Sequence, residues 1–339
     1  MSQLQMGLLV LGGAVLLTMT VYNLWLARRN RPRQPVPDSR DNAILKEQEP
    51  TLDGSAFDGG GFVLPVPEKK PGLDALIDVI APIALEAPVS GDAVLAALPP
   101  TRRVGSKPFA IEGLNVATER WEFALAGQRY SQLQAGLQLA NRSGPINDIE
   151  FSEFVMKTQS FCDALNGTPD FPEMRQEIAR ARELDQFASD HDAQIGFVLR
   201  AKRAAWSPSY VQQIVAKHGF MASSMAGRMV LPAANAGLPP VLSLIFDALP
   251  DDLTQSALRE LSLSLDVSQV ERAELAFERM REIAVSLAQD MDGVVTDDNG
   301  VPLSSEAMDV ISIELQGLYD TLEQHELAAG SALARRLFS

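Results

Sequence analysis

Three histidines, one cysteine and a knot of aspartates are the residues of this chain that could carry catalysis or hold a metal. His191, His218 and His325 are widely separated, with no ligand-like spacing to one another, and each reads as a surface or helix-end residue. Cys162 falls inside an amphipathic helical pattern and reads as a buried, inert thiol. The stretch TDDNG, residues 296–300, looks calcium-like but lacks the alternating oxygen ligands of an EF-hand loop, so it reads as a turn. There is no G-x-S-x-G, no phosphate-binding loop and no G-x-G-x-x-G opening a helix. The chemistry left is recognition: the sequence implies no enzyme, no cofactor, no metal and no small-molecule substrate.

Charge narrows the partners. Formal net charge is −15, which disfavours nucleic acid, because phosphate binding needs a concentrated basic surface. The one dense basic cluster is Arg28, Arg29, Arg31 and Arg33. It follows residues 4–27, a run without charge that is long enough, at about 1.5 Å per residue, to cross a bilayer core of roughly 30 Å. Tyr22 and Trp25 stand near one end, where amphipathic rings favour the lipid–water boundary. A cleaved leader would carry its basic residues ahead of the apolar run; here they follow it, so the run reads as an uncleaved single-pass anchor. The positive-inside rule then places the short N-terminus outside and the rest of the chain in the cytoplasm. A lone cysteine allows no intrachain disulfide, as a reducing compartment requires.

These features imply an organisation in five parts: an anchor at 1–27, a linker at 28–72, two folded regions at 73–189 and 190–330, and a tail at 331–339. Seven prolines between Asn30 and Gly72 and the run DGGG at 58–61 make the second part a flexible, partly extended tether. Within it AFDGGGFVLPV, residues 56–66, admits two readings, a short docking motif or plain linker, and linker is taken.

The fourth part is the most legible. DAQIGFVLRAK is β-like, and WSPSYVQQIVAKHGF opens a helix with Ser207 as N-cap, Pro208 at its first position and Gly219 beyond its last turn. PPVLSLIFDA and LRELSLSLDV read as strands, the second alternating strictly at Leu261, Leu263 and Leu265. Residues 271–292 carry a helical stripe at Ala276, Met280, Ile283, Ala284, Leu287 and Met291. Asn299-Gly300 signals a hairpin, and Ser304 caps a last long helix. The order implies an α+β fold, helices packed on one face of a largely antiparallel sheet whose other face stays open. An open apolar sheet face is a candidate binding surface. Residues 73–189 echo the same order, which suggests two tandem modules; the competing reading is one larger irregular domain.

An anchor, a basic stop, a proline-rich linker and a C-terminal α+β region together resemble the ZipA family of bacterial division proteins. The local likeness lies in SPSYVQQIVAKHGF, PPVLSLIFDALPDDL and AQDMDGVVTDDNGVPLSSEAM, within residues 190–327. The resemblance implies a split β-α-β fold whose open sheet face holds the C-terminal peptide of FtsZ, a partly helical segment bound through apolar side chains. It implies further that the chain sits in the bacterial inner membrane at the division septum and tethers FtsZ filaments there. Carried over position by position, Ala193, Ile195 and Phe197 would present the first strand's outward face. Met225 would stand in the second strand with Gly227 two residues on; Ile245 and Asp247 would face out from the central strand, and Ser264 from the next.

Asp247 replaces an apolar residue of the family pattern and Ser264 an aromatic one, so the resemblance implies a more polar groove. Side chains alternate along a strand, so a one-residue slip exchanges the outward and inward sets. The competing assignment makes Ile195, Phe197, Met225 and Ile245 core. A second functional reading also stands, a membrane-tethered cytoplasmic scaffold with another partner. An acidic receptor would favour a peptide carrying Lys or Arg beside its apolar residues.

Overall fold

The computed structural model describes residues 72–235, 237–247 and 257–339. The anchor at 4–27, its basic stop and the linker before Gly72 lie outside the described residues. Among the described residues no helix is long and apolar enough to cross a membrane. The described chain forms two compact units: one of residues 72–193, Val267–Arg272 and Leu315–Ser339, the other of Gln194–Asp266 and Ala273–Glu314.

In the first unit the elements run β1 (Asp78–Leu85), β2 (Val89–Ser90), α1 (Gly91–Ala97), β3 (Arg103–Val104), β4 (Lys107–Asn115), β5 (Trp121–Phe123), β6 (Arg129–Gln138), β7 (Ala140–Asn141), β8 (Gly144–Pro145), α2 (Asp148–Leu165), β9 (Gly167–Pro169) and α3 (Met174–His191). Local chemistry sets the helix starts: the Ser90 hydroxyl accepts the Ala93 N–H, and Asn147 with Glu150 forms a reciprocal capping box at α2. Asn166 takes the left-handed conformation, φ 51°, and ends α2. The sheet order is β3-β4-β6-β1-β9, with antiparallel pairings throughout. Alternate residues Val79, Ala81, Ile83, Leu133, Ala135 and Leu137 bury against Phe151, Phe154, Phe161 and Cys162 of α2. Burial removes Cys162 from water and pushes its thiol up to about 11.

The second unit contains β10 (Gln194–Ala201), α4 (Pro208–Lys217), β11 (Met221–Ala222), β12 (Arg228–Leu231), β13 (Leu242–Ile245), β14 (Glu260–Asp266), α5 (Ala276–Asp290), β15 (Gly293–Thr296) and the first half of α6 (Ser305–Gln324). Ser207 caps α4 through the Tyr210 N–H, with Pro208 at its first position, and Gly219 follows at φ +87°. The helix expected over 271–292 begins only at Ala276, because Leu275 before it adopts a left-handed backbone, φ 48°. TDDNG closes a tight turn: Gly300 sits at φ +83° and its N–H reaches the Asp297 carbonyl.

The sheet here is ordered β11-β12-β13-β14-β10-β15. In both units the first strand is inserted between a long strand from before the long central helix and the strand that follows that helix: β6-β1-β9 around α2, with the short β7 and β8 intervening before the helix, and β14-β10-β15 around α5.

The chain's last residues pack with the first unit. Residues 331–339, read as a tail, include α7 (Ala332–Leu337), whose N-cap is Ser331. Leu337 and Phe338 are buried. Arg336 pairs with the fully buried Asp78 carboxylate, and Gln138 donates to the Arg336 carbonyl at 2.8 Å.

Candidate partner-binding face

β10, β12, β13 and β14 are antiparallel neighbours, so residues opposite one another across the pairing share a face. Leu244 of β13 stands opposite Leu263 of β14, which stands opposite Phe197 of β10, and all three are buried. The Phe197 ring meets Phe277 of α5 edge-on at 6.1 Å. This row is the helix-packed face. Beside it run two rows of opposite sense: Val230, Ser243, Ser264 and Gly196, then Arg228, Ile245, Ser262 and Val198. Gly196, Ile245 and Ser262 are exposed, and Val230, Ser243 and Ser264 are half-buried. These rows are the outward face, and Met221, opposite Val230, extends the first of them.

The expectation that Ile195 and Phe197 face outward does not hold in the structure. Ile195 stands opposite Leu265 and Phe197 opposite Leu263, so the strict Leu261-Leu263-Leu265 alternation of β14 draws both to the core side. The outward residues of β10 are Gln194 and Gly196; Val198 shares their side by register but is buried. Their signal was present in sequence, as polar or small residues at 194, 196 and 200 alternating with Ile195, Phe197 and Leu199. Ala193 precedes β10; it belongs to the first unit, where its carbonyl accepts the Val267 N–H at 3.1 Å.

Ile245 and Ser264 lie on the outward face as expected, and Asp247, two residues beyond Ile245, is exposed. Met225 is placed differently: it lies in the turn between β11 and β12, not in a strand. The turn closes through the Arg228 N–H to the Met225 carbonyl, with buried Gly227 at φ +73°. Met225 is nonetheless 60 % exposed, and its sulfur lies 3.9 Å from the Arg228 guanidinium, which also donates to Ser243 Oγ. The turn therefore brings Met225 to the same face as Ile245, with Arg228 between them.

The resulting surface can bind and has little with which to catalyse. A thioether, a branched aliphatic side chain and the open backbone at Gly196 offer apolar contact, while Arg228, Asp247 and three serines offer polar partners. At Gly196 an added Cβ would meet, among the described residues, only Asp298 Oδ1, at 3.6 Å, so none of them fills the space above the strand. The histidines stand at helix ends: His218 is within 3.0 Å of Asp290, and in the first unit Phe187 is stacked on by His191 and met at a tilt by His325. Among the described residues no group of three or more metal-binding side chains comes together.

Residues 245–313 match the family model of the ZipA C-terminal FtsZ-binding domain, a protein-binding domain of cell division. The match bears out the resemblance to the ZipA family and covers the end of β13, β14, α5, β15 and the start of α6. No curated protein matches the chain.

Proposed function

We propose that the outward face of the second unit captures the C-terminal peptide of FtsZ and that residues 4–27 hold the chain in the bacterial inner membrane, N-terminus outside. The folded units then stand in the cytoplasm at the division septum and tether FtsZ filaments to the membrane. The observation that carries this reading is the family match: residues 245–313 begin at Ile245, the last residue of β13, and include β14, which together supply Ile245, Ser262 and Ser264 to the open face. Met225, Gly227, Ile245, Asp247 and Ser264 form its binding set together with Gly196. Ile195 and Phe197 support it from the core side.

A single contact of micromolar strength is worth about 8 kcal/mol. Many such contacts along one filament would give firm attachment by avidity, with a linker that lets each copy find its site. The shared strand order of the two sheets supports descent of both units from one duplicated module.

The test is titration of the whole chain in detergent micelles with the FtsZ C-terminal peptide. Saturable binding that Ile245→Asp abolishes supports the proposal. No binding by the wild-type chain sinks it and leaves a membrane-tethered scaffold for another partner as the reading to pursue.

A further inference from the structure

Arg228 differs from four other arginines of the second unit. Arg200, Arg203, Arg279 and Arg281 each meet a carboxylate, those of Glu260, Asp292, Glu274 and Asp309 in turn. Arg228 pairs with no carboxylate among the described residues; Asp247, two residues beyond Ile245, does not reach it. The chain has 44 acidic side chains against 29 basic ones, so acids are not scarce. Position, and not supply, leaves this guanidinium without one.

That position is central to the outward face. The register puts Arg228 directly opposite Ile245. Its guanidinium donates to Ser243 Oγ at 3.3 Å and lies 3.9 Å from the Met225 sulfur, a weak acceptor. Its Nε–H is shut off from water and has no hydrogen-bond partner among the described residues. The group is thus short of acceptors, while Met225 and Ile245 on its two sides are exposed and apolar. Gly227 at φ +73° and the Arg228 N–H on the Met225 carbonyl fix the turn, and Ser243 fixes the head group. The charge is therefore held in place before a partner arrives.

A partner that covers Met225 and Ile245 must also cover Arg228. Taking a cation out of water against an apolar surface is costly unless the partner brings an opposite charge. A carboxylate fits best, because it takes the terminal N–H donors of a guanidinium in a charge-assisted pair. Ser243, which holds the guanidinium, is two residues from Ile245 along β13, about 7 Å away. One turn of a peptide helix rises about 5.4 Å. The acid belongs within about one turn of the apolar residue that covers Ile245.

We propose that Arg228 selects the charge of the captured peptide, by pairing with an Asp or Glu side chain of that peptide beside its apolar anchor. The partner segment is acidic and apolar, the reverse of what the chain's net charge of −15 favours. Local charge wins because salt screens exposed charges beyond about 8–10 Å, whereas Arg228 lies in the contact itself. The inference rests on the peptide-capture reading above and adds to it the sign of the charge that the peptide must carry.

The test titrates the whole chain, in micelles of an uncharged detergent, with two peptides. One is the FtsZ C-terminal peptide; the other is the same peptide with every Asp changed to Asn and every Glu to Gln. The wild type should bind the neutral peptide about tenfold or more weakly, and its hold on the acidic one should loosen as salt rises. Arg228→Gln should bind both peptides alike, and Arg228→Lys, which keeps the charge, should restore part of the preference. The peptide comparison leaves the protein unaltered, so a folding defect in a variant cannot imitate it. Equal binding of the two peptides by the wild type overturns the proposal and leaves peptide capture standing. So does a preference for the acidic peptide that survives Arg228→Gln. If the wild type binds neither peptide, the capture reading itself falls, and this proposal with it.

Discussion

Ile245 and Phe197 are both large apolar residues in neighbouring strands, and the structure assigns them opposite jobs. Ile245 is 46 % exposed, whereas Phe197 is 1 % exposed. Burying a whole isoleucine side chain is worth about 1.5–3 kcal/mol, so a partner that covers the remaining half of Ile245 gains about 0.7–1.4 kcal/mol. Ile245→Ala should therefore weaken peptide binding about three- to tenfold and leave the fold intact. Phe197→Ala empties a site bounded by Phe277 and Leu263, and a buried Phe→Ala change costs about 3–5 kcal/mol. The assay is amide hydrogen exchange over β10 and β14 on both variants, in parallel with peptide titration. The Phe197 variant should show roughly a hundredfold or greater acceleration of exchange in β14, and Ile245→Ala none. If Phe197→Ala instead loses binding at unchanged exchange, Phe197 faces the partner and the register argument collapses.

Gly196→Leu should block peptide binding without loss of stability, because among the described residues its Cβ meets only Asp298, at 3.6 Å; a fall in melting temperature of many degrees would show that the face is closed there. Arg336→Ala strands the fully buried Asp78 carboxylate and should destabilise the first unit by about 3–5 kcal/mol, read by exchange at β1 and β6; an unperturbed β1 would mean that the C-terminal residues are dispensable to that unit. Cys162 should resist alkylation at pH 8 and label only as denaturant opens the first unit; rapid labelling of the native chain would contradict its burial. Since folding raises this thiol from 9.0 to about 11, the folded state binds the proton more tightly. The stability linked to it is complete below pH 9 and is lost as pH rises toward 11, which a denaturation series across that range would reveal.

Much of the second unit was legible because its signals are local. Ser207, Pro208 and Gly219 bracket α4, Ser304 precedes α6 with its hydroxyl on the Ala307 N–H, and Asn299-Gly300 turns the chain after β15. Each is a one-turn matter of backbone donors and allowed dihedrals. The face assignment of β14 was equally readable, because three leucines at alternate positions can point only one way. β10 misled because five apolar or small residues in a row, Ile195 to Leu199, allow either phase. Met225 misled because Gly227, with its positive φ, makes a turn where a strand was expected.

By itself the sequence determined the alternation in β14, the caps and turns that bound α4 and α6, and the charge, since these rest on residues within a few positions of one another. Tertiary structure alone decided which phase of β10 is outward, because that depends on pairing Phe197 with Leu263, which lies far along the chain. It likewise decided that Arg336 serves the buried Asp78 of β1 and that Leu73 seats on Gly136. Contacts across that much chain leave no trace in local periodicity; they exist only once the sheet has brought their partners together.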